Sequence, residues 1–389
     1  MKKITTFVLL AAFLLSLTAC GERQEVFPAP QEPVSWQTAE IIPPQEPEEL
    51  PAADSLEDRL DQWMAELSTE EKVGQLFFVR MPPEAEADDV STYHLGGYVV
   101  FWRNIKEKNP AEMTALLSEC QSAAKIPLFL GTDEEGGSVV RFSLNSQLRT
   151  EPFSSPRTVY HAGGLDALQA DCAEKDEFLQ QFGINVNLAP VADTAKDPDS
   201  FIYDRTVGDS PEETAECIRT MVEQMTADGM GTCLKHFPGY GDNLDTHTGI
   251  AVDERPYSQF ETGDFLPFAA GIEAGAPFIL VSHNIITCMD ETLPASLSPA
   301  VHRILREALH FQGLIITDDL AMGAVAQYVS DGSAAAQAIR AGNDMIITTD
   351  YPTQISQVLA ALEDGTLDMD AVDTACRNVL RVKMQMGLM

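Results

Sequence analysis

The sequence predicts an α/β fold, a single (β/α)8 TIM barrel over residues 56–389 preceded by a disordered tether. Three observations carry that expectation. Eight short apolar runs of strand type alternate with longer amphipathic stretches, as in a barrel of roughly 250 residues plus insertions. The runs are nearly continuous in apolar residues, which suits parallel strands buried on both faces. Most of them also end in charged or hydrogen-bonding residues, at the end where such barrels collect their chemistry.

The N-terminal segment is read apart from the barrel. Lys2 and Lys3 precede an apolar run, Phe7–Leu17, and Leu17-Thr18-Ala19-Cys20 follows. A basic start, a short apolar stretch and small residues before a cut describe an export signal. The run is shorter than the roughly 20 residues that a spanning helix needs. A leucine three residues before a cysteine resembles a bacterial lipoprotein signal. That resemblance makes residues 1–20 a signal peptide and Cys20 the lipidated first residue of the mature chain, with a plain signal peptide or a membrane anchor as alternatives. The expected location is the extracytoplasmic face of the bacterial cell membrane, reached through the lipid on Cys20. Residues 21–55 then hold seven prolines, eight acids and the single base Arg23. Such a segment buries too little apolar surface to offset its ordering entropy and reads as a tether.

From Leu56 the pattern is globular. A helix over Leu56–Leu67 stops before Ser68, which caps the next short helix with Glu71 in the capping-box position. The strand candidates are Leu76–Arg80, Gly97–Trp102, Pro127–Gly131, Asn185–Pro190, Gly231–His236, Phe278–His283, Gly313–Thr317 and Asp344–Thr348. Helical periodicity covers Pro110–Ala124, Pro211–Ala227 and Ser333–Ala341, and Met369–Met386 closes the chain. The rival topology is a doubly wound open sheet. It lacks a GxGxxG after the first strand and a Walker motif, which weakens a nucleotide-binding reading.

Composition narrows the ligands. With 25 basic and 60 acidic residues the 389-residue chain carries a formal charge of −35. That surface repels phosphate backbones and anionic headgroups, so nucleic acid is excluded as an expected partner and neutral or cationic ligands are favoured. The seven cysteines, Cys20, Cys120, Cys172, Cys217, Cys233, Cys288 and Cys376, form no CxxC pair. Neither a zinc ribbon nor a disulfide framework follows from that spacing, and the last six are expected as mostly buried thiols.

The polar strand ends are Arg103-Asn104, Asp133-Glu134-Glu135, Asp193, Lys235-His236, Ser282-His283-Asn284 and Asp318-Asp319. A single strand ending in aspartate is ordinarily a helix cap. Six such ends around one barrel mouth supply spare donors and acceptors suited to a polyhydroxylated ligand. After the fifth strand the chain reads Lys235-His236-Phe237-Pro238-Gly239-Tyr240-Gly241 and then Asp245-Thr246-His247. On extended backbone Asp245 and His247 leave the same side. A carboxylate beside an imidazole fixes its tautomer and makes it a usable general acid–base, although Asp-x-His alone is a common pattern.

These motifs in this order resemble family 3 of the glycoside hydrolases, and within it the β-N-acetylglucosaminidase branch. Gly131–Gly137, Asn187–Asp193 with Arg205, Pro294–Ser298 and Gly313–Leu320 agree with Lys235–Gly241 in pointing there, and the similarity spans about residues 57–388. The resemblance implies that Asp318 is the nucleophile, that His247 is the acid/base and that Asp245 orients it. It places Asp133, Arg141, Arg205, Lys235 and His236 around the terminal sugar. It implies a retaining double displacement with histidine in place of the second carboxylic acid. N-acetylglucosamine-containing glycans, peptidoglycan fragments among them, become the expected partners; a monomer without cofactor or metal is expected.

Three positions depart from the branch. Tyr240 stands between the glycines where histidine is usual, Thr246 replaces serine, and Ser138 stands where arginine is frequent. Two-domain relatives continue into an α/β sandwich, and the single-domain length here agrees with a local Asp–His dyad. Other functions stay open: phosphorolysis or a β-glucosidase within the same family, a metal-dependent barrel hydrolase using His236, His247, His283 and Asp318, and a sugar-binding surface lipoprotein. His283 and Asn284 are read equally as substrate contacts and as support for the barrel mouth, Trp102 as core packing before sugar stacking, and Asp319 as a helix cap or supporting group before a second nucleophile.

Overall fold

Alternation explains how the strands pack. Phe278 and Leu280, Leu314 and Ile316, and Met345 and Ile347 enter one apolar cluster with Phe78, Val99, Phe129 and Val186. Their intervening neighbours Ile279, Val281, Ile315 and Ile346 join a second cluster shared with the helices. Strand side chains alternate faces, so one set fills the inside of a curled sheet and the other holds the helices. The computed structural model describes residues 55–84, 87–241, 251–321, 325, 327–329 and 333–389. Cys20, the tether, Asp245 and His247 lie outside the described residues.

The main sheet is parallel and seven-stranded. Its strands are β1 (Phe78–Arg80), β2 (Gly97–Val100), β3 (Phe129–Thr132), β4 (Val186–Asn187), β5 (Gly231–Phe237), β7 (Phe278–Val281) and β9 (Leu314–Thr317), neighbours in that order. Two short segments, β6 (Val252–Asp253) and β8 (Ile285–Ile286), pair separately in parallel. Seven of the eight expected strands are present, with ends shifted by a few residues.

The eighth differs from expectation. Asp344–Thr348 is not a regular strand, yet it bonds on both sides. Ile346 N donates to Leu76 O at 2.8 Å and Arg80 N to Thr348 O at 3.1 Å, while Thr317 N donates to Met345 O at 3.2 Å. The segment therefore spans the gap between the edge strands β9 and β1. Asp344 at its start accepts from Ile315 N at 2.7 Å and ion-pairs with Arg306, which takes carboxylate and backbone away from a plain ladder.

Local signals set the helices. Ser68 caps Thr69–Gln75 with Glu71 in a full capping box, and Asn109 and Glu112 do the same for Pro110–Ala123. Pro211–Ala227 starts on proline behind its cap Ser210, and Ser333 caps Ala334–Ala341. Proline at the first position loses no bond, because that N–H has no helical partner. The long stretch Pro156–Gln180 breaks at Gly164, whose φ is 68°. Five of the six described cysteines are buried, Cys288 is exposed, and all six are free thiols.

Candidate active site

β3 delivers Asp133, Glu134 and Glu135 past its last residue, Thr132. Lys235 Nζ on β5 lies 2.8 Å from Asp133 Oδ1 and 2.7 Å from Glu135 Oε1. Glu134 turns elsewhere, accepting from the backbone N–H groups of Arg141 and Phe142 at 2.8 Å each and from the hydroxyl of Ser143. Burial pushes the Glu134 carboxyl up, and those hydrogen bonds oppose it. Glu134 thereby shapes the loop that presents Arg141, whose guanidinium reaches within 3.5 Å of Asp133 Oδ2.

Arg205 closes the group from the turn Tyr203–Arg205. Its Nε and Nη2 donate to the two oxygens of Glu135 at 2.9 and 2.8 Å, the fork geometry that suits a carboxylate. Burial raises the Glu135 carboxyl, but the charges of Lys235 and Arg205 outweigh it and hold Glu135 far below the usual carboxylate range. Burial alone also lowers Lys235 and Arg205, yet their carboxylate neighbours carry both above their ordinary values. All three are charged and locked.

His236 follows Lys235 but serves another partner. The register with β7 shifts between Lys235 and Phe237, and such a bulge re-aims side chains. His236 Nδ1 lies 2.7 Å from Asp193 Oδ2, and its Nε2 lies 3.3 Å from Arg205 Nη2. A carboxylate only accepts and a guanidinium only donates, so the contacts assign the Nδ1–H tautomer with Nε2 as acceptor. Asp193 also accepts from the backbone of His236 and Tyr240, at 3.0 and 2.8 Å. Tyr240 meets the rings of Phe201 and His236 edge-on, at 5.2 and 5.1 Å.

Asp318 stands half-buried at the end of β9. Its N–H donates to Val281 O on β7 at 3.2 Å, and its Oδ1 accepts from Asp319 N at 2.8 Å. Cys233 on β5 is pushed up to about 12, first by burial, with the charge of Lys235 opposing and those of Asp133 and Asp318 adding. Asp319 caps the following turn by accepting from Ala321 N at 2.9 Å.

The structure brings Asp133, Arg141, Arg205, Lys235 and His236 into one network at the C-terminal end of the sheet. Two members were not singled out as site residues: Glu135, the acid that both buried cations share, and Asp193, which holds His236. Each stood among the polar strand ends, but only pairing across strands distinguishes them. His283 is used internally, with Nδ1 2.7 Å from Ser296 Oγ and Nε2 3.3 Å from Asp319 O. His236 Nε2 faces a guanidinium. Neither ring suits a metal cation.

Sequence reasoning also missed a tie across the segment that carries Asp245 and His247. Arg255 Nη2 donates to Gly239 O at 3.2 Å, its Nε reaches Asp253 Oδ2 at 2.9 Å, and its Nη1 reaches Asp264 Oδ2 at 2.9 Å. Gly239 and Asp253 lie on the two sides of the undescribed stretch 242–250. One guanidinium ties both stems. Gly239 sits at φ +121°, where a Cβ would come 2.4 Å from Asp264 Oδ1. The signal available in sequence was only the spacing Asp253-x-Arg255.

Comparison with known proteins gives the family. The profile described as "Glycosyl hydrolase family 3 N terminal domain" matches residues 68–382. A protein named β-hexosaminidase from Nitrosomonas eutropha is 31% identical over 304 residues, covering 75% of this chain and 83% of that protein. The solved structure of a family 3 β-N-acetylglucosaminidase from Paenibacillus sp. superposes with a TM-score of 0.77 at 28% identity, over 83% of this chain and 63% of that one. A β-glucoside phosphorylase superposes with a TM-score of 0.75 at 23% identity, over 86% of this chain and 61% of that one, a likeness of fold alone.

Proposed function

The chain belongs to family 3 of the glycosyl hydrolases, and from that premise we propose that it is an exo-acting, retaining β-N-acetylglucosaminidase. The observation that carries the reading is the interlocked set Asp133, Glu135, Lys235 and Arg205 at the same end of the sheet as Asp318. Fixed charges of both signs, held without reorganisation, suit the hydroxyls of a terminal sugar and the charge that develops in its transition state. The segment 344–348 serves as the eighth stave of a (β/α)8 barrel, which puts all these strand ends around one mouth.

The reaction runs in two steps. Asp318 attacks the anomeric carbon while His247, oriented by Asp245, gives a proton to the leaving oxygen. Water that gives its proton to His247 then releases the sugar from Asp318 with net retention. The named relatives favour N-acetylglucosaminides as substrates. Anchoring at Cys20 outside the membrane makes peptidoglycan fragments the natural source, met by a monomer held on its tether. Hydrolysis of a chromogenic β-N-acetylglucosaminide, abolished by Asp318→Ala and His247→Ala, is the expected result. Full activity in Asp318→Ala would sink the reading.

A further inference from the structure

Along the sheet, segment 344–348 and strands β1 and β2 lie between β9, which ends at Asp318, and β3, which ends at Asp133. Two arginines stand on that arc: Arg80, the last residue of β1, and Arg103, just beyond β2. Most other guanidinium groups here meet a carboxylate, as Arg141, Arg157, Arg205, Arg255, Arg306 and Arg377 do. Among the described residues Arg80 and Arg103 make no ion pair. Arg80 lies over the Phe101 ring at 4.1 Å with its Nε unbonded. Arg103 donates to Met81 O at 3.3 Å, and its Nε is unbonded too.

The two cations feel one another. Desolvation lowers Arg103, the charge of Arg80 lowers it further, and the charge of Asp319 only partly offsets this. Holding like charges together, half-buried and unpaired, costs stability that a chain with 60 acidic residues had ample means to relieve. Arg141 also approaches the Phe101 ring, at 5.6 Å from its centroid, and links this arc to Asp133.

We propose that Arg80 and Arg103 form an anion subsite beside the terminal-sugar site, taking a carboxylate or phosphate oxygen of whatever leaves or accepts the sugar. The inference rests on the glycosidase reading. A planar fork that already stacks on an aromatic ring is well suited to grip such a group in two places. The overall charge of −35 does not prevent it. Surface repulsion is screened over about 8 Å at physiological salt, whereas the two guanidiniums act at contact. Net charge alone favours neutral or cationic ligands; this arc reverses that locally.

The test compares 4-carboxyphenyl β-N-acetylglucosaminide with its methyl ester, which differ by one charge. The wild-type preference for the acid, as a ratio of kcat/KM, is expected to fall about tenfold in Arg80→Met and in Arg103→Met, and further in the double variant. Inorganic phosphate supplies the second arm. If phosphate is the natural occupant, the wild type forms glycosyl phosphate in phosphate buffer: a phosphate oxygen bonds to the anomeric carbon as the Asp318 ester bond breaks. The arginine variants then lose that product. Calorimetric titration of the acid glycoside and of phosphate reads occupancy without turnover. A wild type that hydrolyses nothing yet binds either anion through Arg80 sinks the glycosidase reading and keeps the subsite. Equal losses on acid and ester, with neither phosphate product nor arginine-dependent anion binding, overturn the subsite whatever the fate of the enzyme. Arg80→Lys, which keeps charge but loses the fork, guards against a variant that merely misfolds.

Discussion

Lys235 and Glu135 meet at 2.7 Å with side chains 3% and 1% exposed, although 100 residues of chain separate them. Each charge also has a second partner, Arg205 for Glu135 and Asp133 for Lys235. Breaking a buried pair costs about 3–5 kcal/mol where the survivor is left uncompensated, and those second partners reduce the cost here.

Lys235→Met is therefore expected to lower both stability and kcat/KM, the latter by at least about 100-fold through loss of groups that position the sugar. In Lys235→Met/Glu135→Gln the stability loss should be smaller than the sum of the single losses. Urea unfolding of the four proteins measures the coupling. Strict additivity would mean that the pair is not the unit described here.

Arg255 ties Gly239 to Asp253 on either side of the segment that carries Asp245 and His247, the proposed acid/base dyad, and on that reading it is a positioning residue. Arg255→Lys keeps the charge but cannot reach Gly239 O, Asp253 and Asp264 together. We expect kcat to fall roughly tenfold or more, with KM nearly constant, since misplacing a catalytic group acts on the transition state. The acid/base limb of the pH–rate profile should move as well. Gly239→Ala should mimic this and lower stability by about 1–3 kcal/mol, because alanine is strained at φ +121°.

Lys383 is buried beneath the sheet, with Nζ 2.7 Å from Gln75 Oε1 and 5.0 Å from the Phe129 ring centroid. Burial lowers it from 10.5 to about 7. Between those values the unfolded chain binds the extra proton, so Lys383 makes stability rise with pH, by up to about 1.4 kcal/mol per unit. Lys383→Met should flatten that rise in unfolding free energy from pH 7 to 10. The absolute stability of the variant also reflects the acceptor of Gln75 that it strands.

Asp176 supplies the opposite slope. Among the described residues no donor meets its two buried carboxylate oxygens, and burial, then the neighbouring Asp228 carboxylate, pushes it from 3.8 up to about 8. Here the native state holds the extra proton, so stability falls as pH rises through that window. Asp176→Asn should remove the fall, gaining on wild type between pH 4 and 8. Parallel pH–stability curves for the two proteins would contradict it.

The fold was legible because its signals are local. Ser68 with Glu71, Asn109 before Pro110 and Ser210 before Pro211 each announced a helix that forms where expected. The strand runs announced themselves by apolar continuity. Asp344–Thr348 read the same way, but Arg306 and Asn378 hold the Asp344 carboxylate at one end of it, 38 and 34 residues away in sequence. No local window contains that competition.

The site was legible as an inventory. Read alone, the chain determines which charges arrive at the sheet's C-terminal end, because strand ends follow from periodicity and their residues are written beside them. It also determines the family, through the order of its motifs. The tertiary structure alone decides who pairs with whom. Glu135 became the shared partner of Lys235 and Arg205, Asp193 the holder of His236, and Arg255 the tie between Gly239 and Asp253. Among the described residues Arg80 and Arg103 meet no carboxylate, and the Nε of each is unbonded. The physical reason is distance. Burial and ion pairing act over a few ångströms between residues tens of positions apart, and strand order and register set those ångströms.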